Sequence, residues 1–152
     1  MIASAQTIRN LAPIFPLKEK TIFNGMSYGL SAAGYDIRIA QTVIIPPHGF
    51  VLASAIEFFN MTDQLLGIVH DKSTWARRGL SVFNTVIEPG WKGYLTLELK
   101  NQGDARLKII AGSPIAQVVF HILDKPTELP YSGKYQNQSA SPQPAIMENE
   151  NE

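Results

Sequence analysis

The 152-residue sequence predicts an all-β, single-domain protein, and three observations support that prediction. Turn signals recur at Pro46-Pro47-His48-Gly49, Pro89-Gly90-Trp91-Lys92-Gly93, Asn101-Gln102-Gly103-Asp104 and Ala111-Gly112-Ser113-Pro114. Short apolar or alternating runs lie between those signals. No long stretch of helical period separates the runs. Such spacing favours a sandwich or a barrel.

In chain order, residues 4–10 read as one short helix with Ser4 as N-cap and Pro13 stopping it. Strands follow over 35–40, 50–56, 65–70, 80–88, 94–101, 106–110 and 115–122. One interior helix fits Ser73-Thr74-Trp75-Ala76-Arg77-Arg78, capped by a hydroxyl and closed by Gly79. The composition changes near Pro126, where the chain turns polar and proline-bearing and runs out in Glu-Asn-Glu-Asn-Glu. Residues 1–138 therefore read as the domain, and 139–152 as a disordered tail that buries too little apolar area to offset its ordering entropy.

Composition excludes several function classes. Thirteen basic and thirteen acidic side chains cancel, so no bulk positive field exists to hold nucleic acid or an anionic membrane. Cysteine is absent, which rules out a disulfide scaffold, a thiolate nucleophile and every cysteine-bearing zinc site. His48, His70 and His121 sit at no metal-ligand spacing. No apolar run reaches a membrane span, and the opening MIASAQTIRNLAPIF lacks a secretory h-region. Only 17% of residues are charged, which suggests surface buried against other subunits. A soluble, cytoplasmic, oligomeric protein is expected.

Four segments carry candidate chemistry. At Asp71-Lys72-Ser73-Thr74-Trp75-Ala76-Arg77-Arg78, hydroxyls and unpaired N–H groups meet cations at a helix start, which suits an anion. A well-capped surface helix with solvated arginines fits the same residues. Alternation over 94–100 places three leucines on one face and Tyr94, Thr96, Glu98 and Lys100 on the other. Glu98 is then either an ordinary water-facing carboxylate or, if that face lines a pocket, a group able to move protons near neutral pH. The turn after Thr85, Val86, Ile87 and Glu88 presents a carboxylate and backbone groups at a strand end. Finally, Tyr131 to Gln138 interleaves tyrosines, Lys134 and amides, as a lid over a phosphate-bearing ligand would.

Together, in the order HDKSTWARRGLSVFNTVIEPGWKGYLTLELKN, GSPIAQVVF and PYSGKYQNQ, these segments resemble dCTP deaminases of the dUTPase-like superfamily. The resemblance spans residues 30–140 and includes a GYDIRIA segment like that family's early Asp-x-Arg strand. It implies a distorted jelly-roll β-barrel with short helices, assembled as a homotrimer with sites shared between subunits. Glu98 matches the catalytic glutamate, and Ser73 and Arg77 match the residues that support it. Lys72 and Thr74 are expected at the phosphates, Glu88 at the deoxyribose and Thr96 beside the base. Carbonyls near Thr85 and Val86 are expected to hold the attacking water. Tyr131, Lys134 and Gln138 are expected to close over the nucleotide. Mg²⁺ would ride on the triphosphate, with no metal held directly by the protein and no zinc.

The implied activity is zinc-independent hydrolysis of dCTP to dUTP and ammonia, which agrees with a cysteine-free chain. The resemblance departs in two places. The 83–88 hairpin is about two residues shorter than in many deaminases and lacks their His and Arg. Glu88 stands where aspartate is usual. One rival is a dUTPase, or a bifunctional enzyme giving dUMP and pyrophosphate. The dUTPase Arg-Ser-Gly-Leu is Lys72-Ser73-Thr74-Trp75 here, and the glycine-rich C-terminal motif is missing. A second rival is a non-catalytic nucleotide-binding trimer.

Overall fold

A computed structural model describes residues 1–149. Helix α1 (Ala5–Leu11) leads to β1 (Ile14–Phe15), β2 (Thr21–Phe23), β3 (Met26–Ser31), β4 (Gly34–Arg38) and β5 (Val43–Ile45). The long β6 (Phe50–Asn60) and β7 (Leu65–Asp71) precede helix α2 (Ser73–Ala76). β8 (Leu80–Val82), β9 (Val86–Ile87), β10 (Lys92–Asn101), β11 (Leu107–Ile109) and β12 (Pro114–Ile122) follow. The strands form a six-stranded sheet β2-β3-β4-β12-β7-β9, a four-stranded sheet β1-β6-β10-β8 and the pair β11-β5. A bridge between Ile39 and Ala55 ties the two larger sheets together. Ile37, Phe59, Leu97, Leu99, Val118 and Phe120 fill the buried core. The all-β prediction therefore holds.

Local chemistry explains most element boundaries. Ser4 caps α1 by accepting from the Thr7 N–H, and the helix ends with Ala12 in the left-handed region before Pro13. The hairpin β2–β3, not expected from the sequence, turns on Asn24-Gly25, both at positive φ, as a tight two-residue turn requires. The expected strand over 80–88 splits into two. β8 pairs with β10 while β9 pairs with β7 on the other sheet, so the chain crosses between layers at 83–85. The expected hydroxyl cap of α2 is corrected: Lys72 is the N-cap residue and makes no side-chain cap bond, because Ser73 already lies inside the helix. α2 is held instead by Trp75, whose Nε1–H donates to the Pro114 carbonyl at 2.7 Å.

The GYDIR strand joins layers through its polar side chains. Tyr35 is buried, and its hydroxyl bonds the backbone of Pro16 and Lys18, each at 3.1 Å. Burial pushes that phenol up to about 12. Asp36 accepts from the Lys72 ammonium at 2.9 Å. Arg38 gives its Nε–H and its backbone N–H to the fully buried Glu57, at 2.8 and 3.0 Å. Loss of the guanidinium would leave that carboxylate uncompensated.

Candidate active site

The site is built on β10. Its Leu97 and Leu99 point into the core while Thr96 and Glu98 point the other way, as alternation requires. Leu95 breaks the pattern and borders the cavity too, because the ladder with β6 slips between Tyr94 and Thr96. Opposite on β6, Ser54 pairs with Thr96, Leu52 with Glu98 and Phe50 with Lys100. A cavity of about 490 Å³ opens over this row. Thr85, Val86, Ile87 and Glu88 form its second wall, and Tyr131, Tyr135 and Gln138 close the third.

Glu98 lies half-buried in a mostly apolar lining, and burial raises its carboxyl above the usual glutamate range. The Glu98 backbone N–H offsets part of that effect. Among the described residues, the Glu98 carboxylate makes no ion pair. A carboxylate so placed is suited to accept a proton from water and return it. The Thr85 carbonyl accepts from the Val69 N–H at 3.1 Å, which leaves one lone pair for a water. Among the described residues, no group of three or more His, Asp or Glu is placed to hold a metal.

The Pro-Gly-Trp turn and the Lys-Tyr-x-x-Gln segment hold each other. Trp91 Nε1–H donates to the Tyr135 carbonyl at 2.6 Å. Gln136 Nε2 donates to the Gly90 and Tyr131 carbonyls, and its Oε1 accepts from the Lys92 N–H at 2.7 Å. The Tyr94 N–H donates to the Gln138 carbonyl, and Gly93 and Gln138 form a parallel bridge. A Cβ on Gly93 would stand 2.6 Å from the Gln138 nitrogen, so only glycine admits this approach.

The structure gathers Glu98, Thr96, Thr85, Val86, Glu88, Tyr131 and Gln138 around one cavity. Ser73, Thr74 and Arg77 are exposed on α2 and its C-cap and do not line it. Lys72 also lies outside, its charge matched by Asp36. Lys134 is exposed, 3.8 Å from Glu148 and over the Tyr135 ring.

Sequence reasoning missed Leu52, Phe50, Trp91, Gln136 and Gln143. Trp91 and Gln136 sit inside motifs already singled out, so only their partnership was hidden. Gln143 falls in the segment expected to be a disordered tail. Instead the Ala140 carbonyl accepts from Ser54 Oγ, the Gln143 N–H donates to Thr96 Oγ1 at 3.0 Å, and the Ile146 N–H donates to the Tyr135 hydroxyl. Backbone polar groups hold these residues, and apolar content does not register such bonds. Residues 150–152 of that expected tail lie outside the described residues.

Comparison with known proteins follows this geometry. The model of the "dCTP deaminase-like" family matches residues 29–123. A dCTP deaminase of Campylobacter curvus is 37% identical over 169 aligned positions, covering 90% of this chain and 91% of its own length. Those of Acidobacterium capsulatum (37%, covering 82% and 86%) and Herpetosiphon aurantiacus (38%, covering 80% and 83%) are similar. The first alignment is longer than this chain's 152 residues, so that relative carries residues this chain lacks. Among solved structures, the dUTPase of Staphylococcus bacteriophage 80alpha superposes with a TM-score of 0.58 at 19% identity, covering 80% and 92%. The EIAV dUTPase gives 0.55 at 22%, covering 65% and 82%. These two likenesses establish the barrel alone, whereas the family match and the sequence relatives place the chain in the dCTP deaminase-like family.

Proposed function

We propose that the protein hydrolyses dCTP to dUTP and ammonia, with Glu98 as the proton carrier. One observation supports this most: a lone carboxylate, raised by burial, stands on the cavity floor beside Thr96. Thr96 meets the base, and Glu98 faces C4 of cytosine. A water held by the Thr85 or Val86 carbonyl gives a proton to Glu98 as its oxygen adds to C4. Glu98 protonates N3 and then carries the proton of the C4 hydroxyl to the amino nitrogen, so the tetrahedral centre collapses to the carbonyl, the C4–N bond breaks and ammonia departs. Glu88 sits at the sugar, and Tyr131 and Gln138 cover the nucleotide.

The supporting groups outside the cavity come from a neighbouring subunit in this reading. Three copies assemble so that the exposed α2 of one subunit faces the cavity of the next. Ser73 then positions the water, Arg77 orients Glu98 and steadies developing charge, and Lys72 and Thr74 meet the phosphates, while Lys134 closes over the nucleotide with Tyr131 and Gln138. Exposed apolar side chains away from the cavity, among them Phe15, Ile44 and Ile110, supply surface for such contacts. Mg²⁺ would reach the site on the triphosphate. The phage phi11 dUTPase, a fold relative, is described with a structural Mg(II) ion. No helix among the described residues is long and apolar enough to cross a membrane, and a cytoplasmic location fits a nucleotide substrate.

Incubation of the purified protein with dCTP, dCMP and dUTP, followed by chromatography of the products, tests the reading. dUTP from dCTP is expected. Release of dUMP and pyrophosphate would assign the bifunctional reaction, and no turnover of any of the three would overturn the enzymatic reading.

A further inference from the structure

The cavity floor is polarised along β10. At one end Thr96 and Ser54 pair across the ladder, and Gln138 Nε2 and the Gln143 N–H both donate to Thr96 Oγ1, at 3.4 and 3.0 Å. At the other end Leu52 stands opposite Glu98, and Phe50 follows it. The Phe50 ring leans on Phe83 with centroids 6.0 Å apart, and the Phe83 N–H donates to the Glu98 carbonyl. Val86 lines the cavity from β9. Phe50, Phe83 and Val86 are each about half exposed, at 53%, 48% and 51%.

Cytosine is polarised the same way about C4. N3 and O2 lie on one side of that carbon, and C5 and C6 lie on the other. With C4 at Glu98, the polar edge of the ring matches the Thr96 end. Its C5 edge then faces the apolar side chains of Leu52, Phe50 and Val86, the last two half exposed, so the wall is open enough to admit another group. We infer that the enzyme deaminates deoxycytidine nucleotides carrying a small apolar group at C5, with the 5-methyl compound as the type substrate.

This inference rests on the deaminase reading above. The step is the same hydrolysis. Water's oxygen bonds to C4, the C4–N bond breaks, one of water's protons ends on N3 and the other leaves with the amino group as ammonia, and no redox partner is needed. From 5-methyl-dCTP the product is thymidine triphosphate.

Competition between dCTP and 5-methyl-dCTP, with both products resolved by chromatography, tests it. The 5-methyl substrate is expected to match dCTP in kcat/KM or exceed it by up to about fourfold, the worth of burying one methyl group. Deamination of dCTP with 5-methyl-dCTP disfavoured tenfold or more would overturn the inference and leave the parent reading intact. Turnover of neither substrate would overturn both. Phe50→Gln and Val86→Asn, at half-exposed positions that tolerate polarity, should each lower the 5-methyl-to-unmodified ratio. An unchanged ratio in both variants would remove the apolar wall from the assignment.

Discussion

The cavity on β10 and the short helix α2 carry the same kind of chemistry in opposite states of completion. Around Glu98 every wall is tied down within one chain: the ladder to β6, the β9 crossing, and a C-terminal segment bonded to Trp91, Lys92 and Tyr94. On α2, Ser73, Thr74 and Arg77 point into solvent, and the adjacent Lys72 is held by Asp36. An oriented acid–base group needs pre-organisation, and a buried strand supplies it. Exposed cations and hydroxyls on one helical turn supply little until a second surface excludes water from them. On the proposed trimeric reading, one chain carries a reaction floor and the next supplies its roof.

The largest effect belongs to the floor. Glu98→Gln keeps size and shape but ends proton transfer, so deamination should fall at least about a hundredfold at near-normal affinity. In the wild type, the acid limb of the kcat profile should lie above the ordinary glutamate range. As pH falls through the raised value, Glu98 takes up a proton and can no longer accept one from water. Stability runs with the opposite sign. A carboxyl whose folded pKa is raised favours the fold below the unfolded value and loses that contribution as pH rises through the folded one. Glu98→Gln should therefore melt no lower than wild type at neutral pH, and any gain should vanish in acid. A near wild-type rate in Glu98→Gln would reduce Glu98 to a solvated strand residue.

Next in size is a test of whether floor and roof come from different subunits. Arg77→Ala should be inactive alone, and so should Glu98→Gln. Co-expressed in equal amounts, the two variants should recover about a quarter of wild-type activity, the share of randomly mixed interfaces that unite both intact residues. No recovery in demonstrably mixed trimers would place Arg77 and Glu98 in one subunit's site. A stable monomer by light scattering would end the shared-site proposal outright.

What the sequence could tell in advance follows the same division. Features with a two-residue period or a local cap were legible, because they depend on near neighbours: the leucine face of β10, the Ser4 cap, the Asn101 turn. The Asn24-Gly25 hairpin carried a readable signal that went unread. Long-range pairing left no such trace. Nothing local shows that 80–88 changes sheets midway, or that Leu95 turns toward the cavity through a slip in the ladder. The candidate residues that line the cavity were singled out through motif order. Their environment was not, because Leu52 and Phe50 reach the site by register across β6.

Cutting the chain after Pro130 should have a smaller effect than either residue change. It removes Tyr131, Tyr135 and Gln138 from the cavity and strips the Trp91 N–H of its acceptor. The orphaned indole group costs about 1–3 kcal/mol, so the melting temperature should drop by several degrees while the barrel persists. kcat/KM should fall at least about tenfold, roughly what losing one good charge-assisted hydrogen bond to the ligand entails. Full activity in that truncation would refute a covering role for the segment.

The smallest effect, and the sharpest for the C-terminal residues, comes from cutting after Gln138 instead. That cut spares every bond between the Trp91 turn and residues 131–138. It removes Gln143 and Ala145 from the cavity lining and frees Thr96 Oγ1 from the Gln143 N–H. Thr96 is the residue proposed to meet the base, so in the intact chain the nucleotide must first displace that N–H. A neutral hydrogen bond nets about 0.5–1.5 kcal/mol, which corresponds to roughly two- to tenfold in affinity. The truncated enzyme should therefore show KM lowered by up to that factor with kcat unchanged, since the freed hydroxyl takes part in binding and not in proton transfer. A raised KM would mean that residues 139–149 move aside and then contribute contacts of their own to the bound nucleotide. That outcome would make the segment a second cover, and the contrast between the two truncations would then disappear.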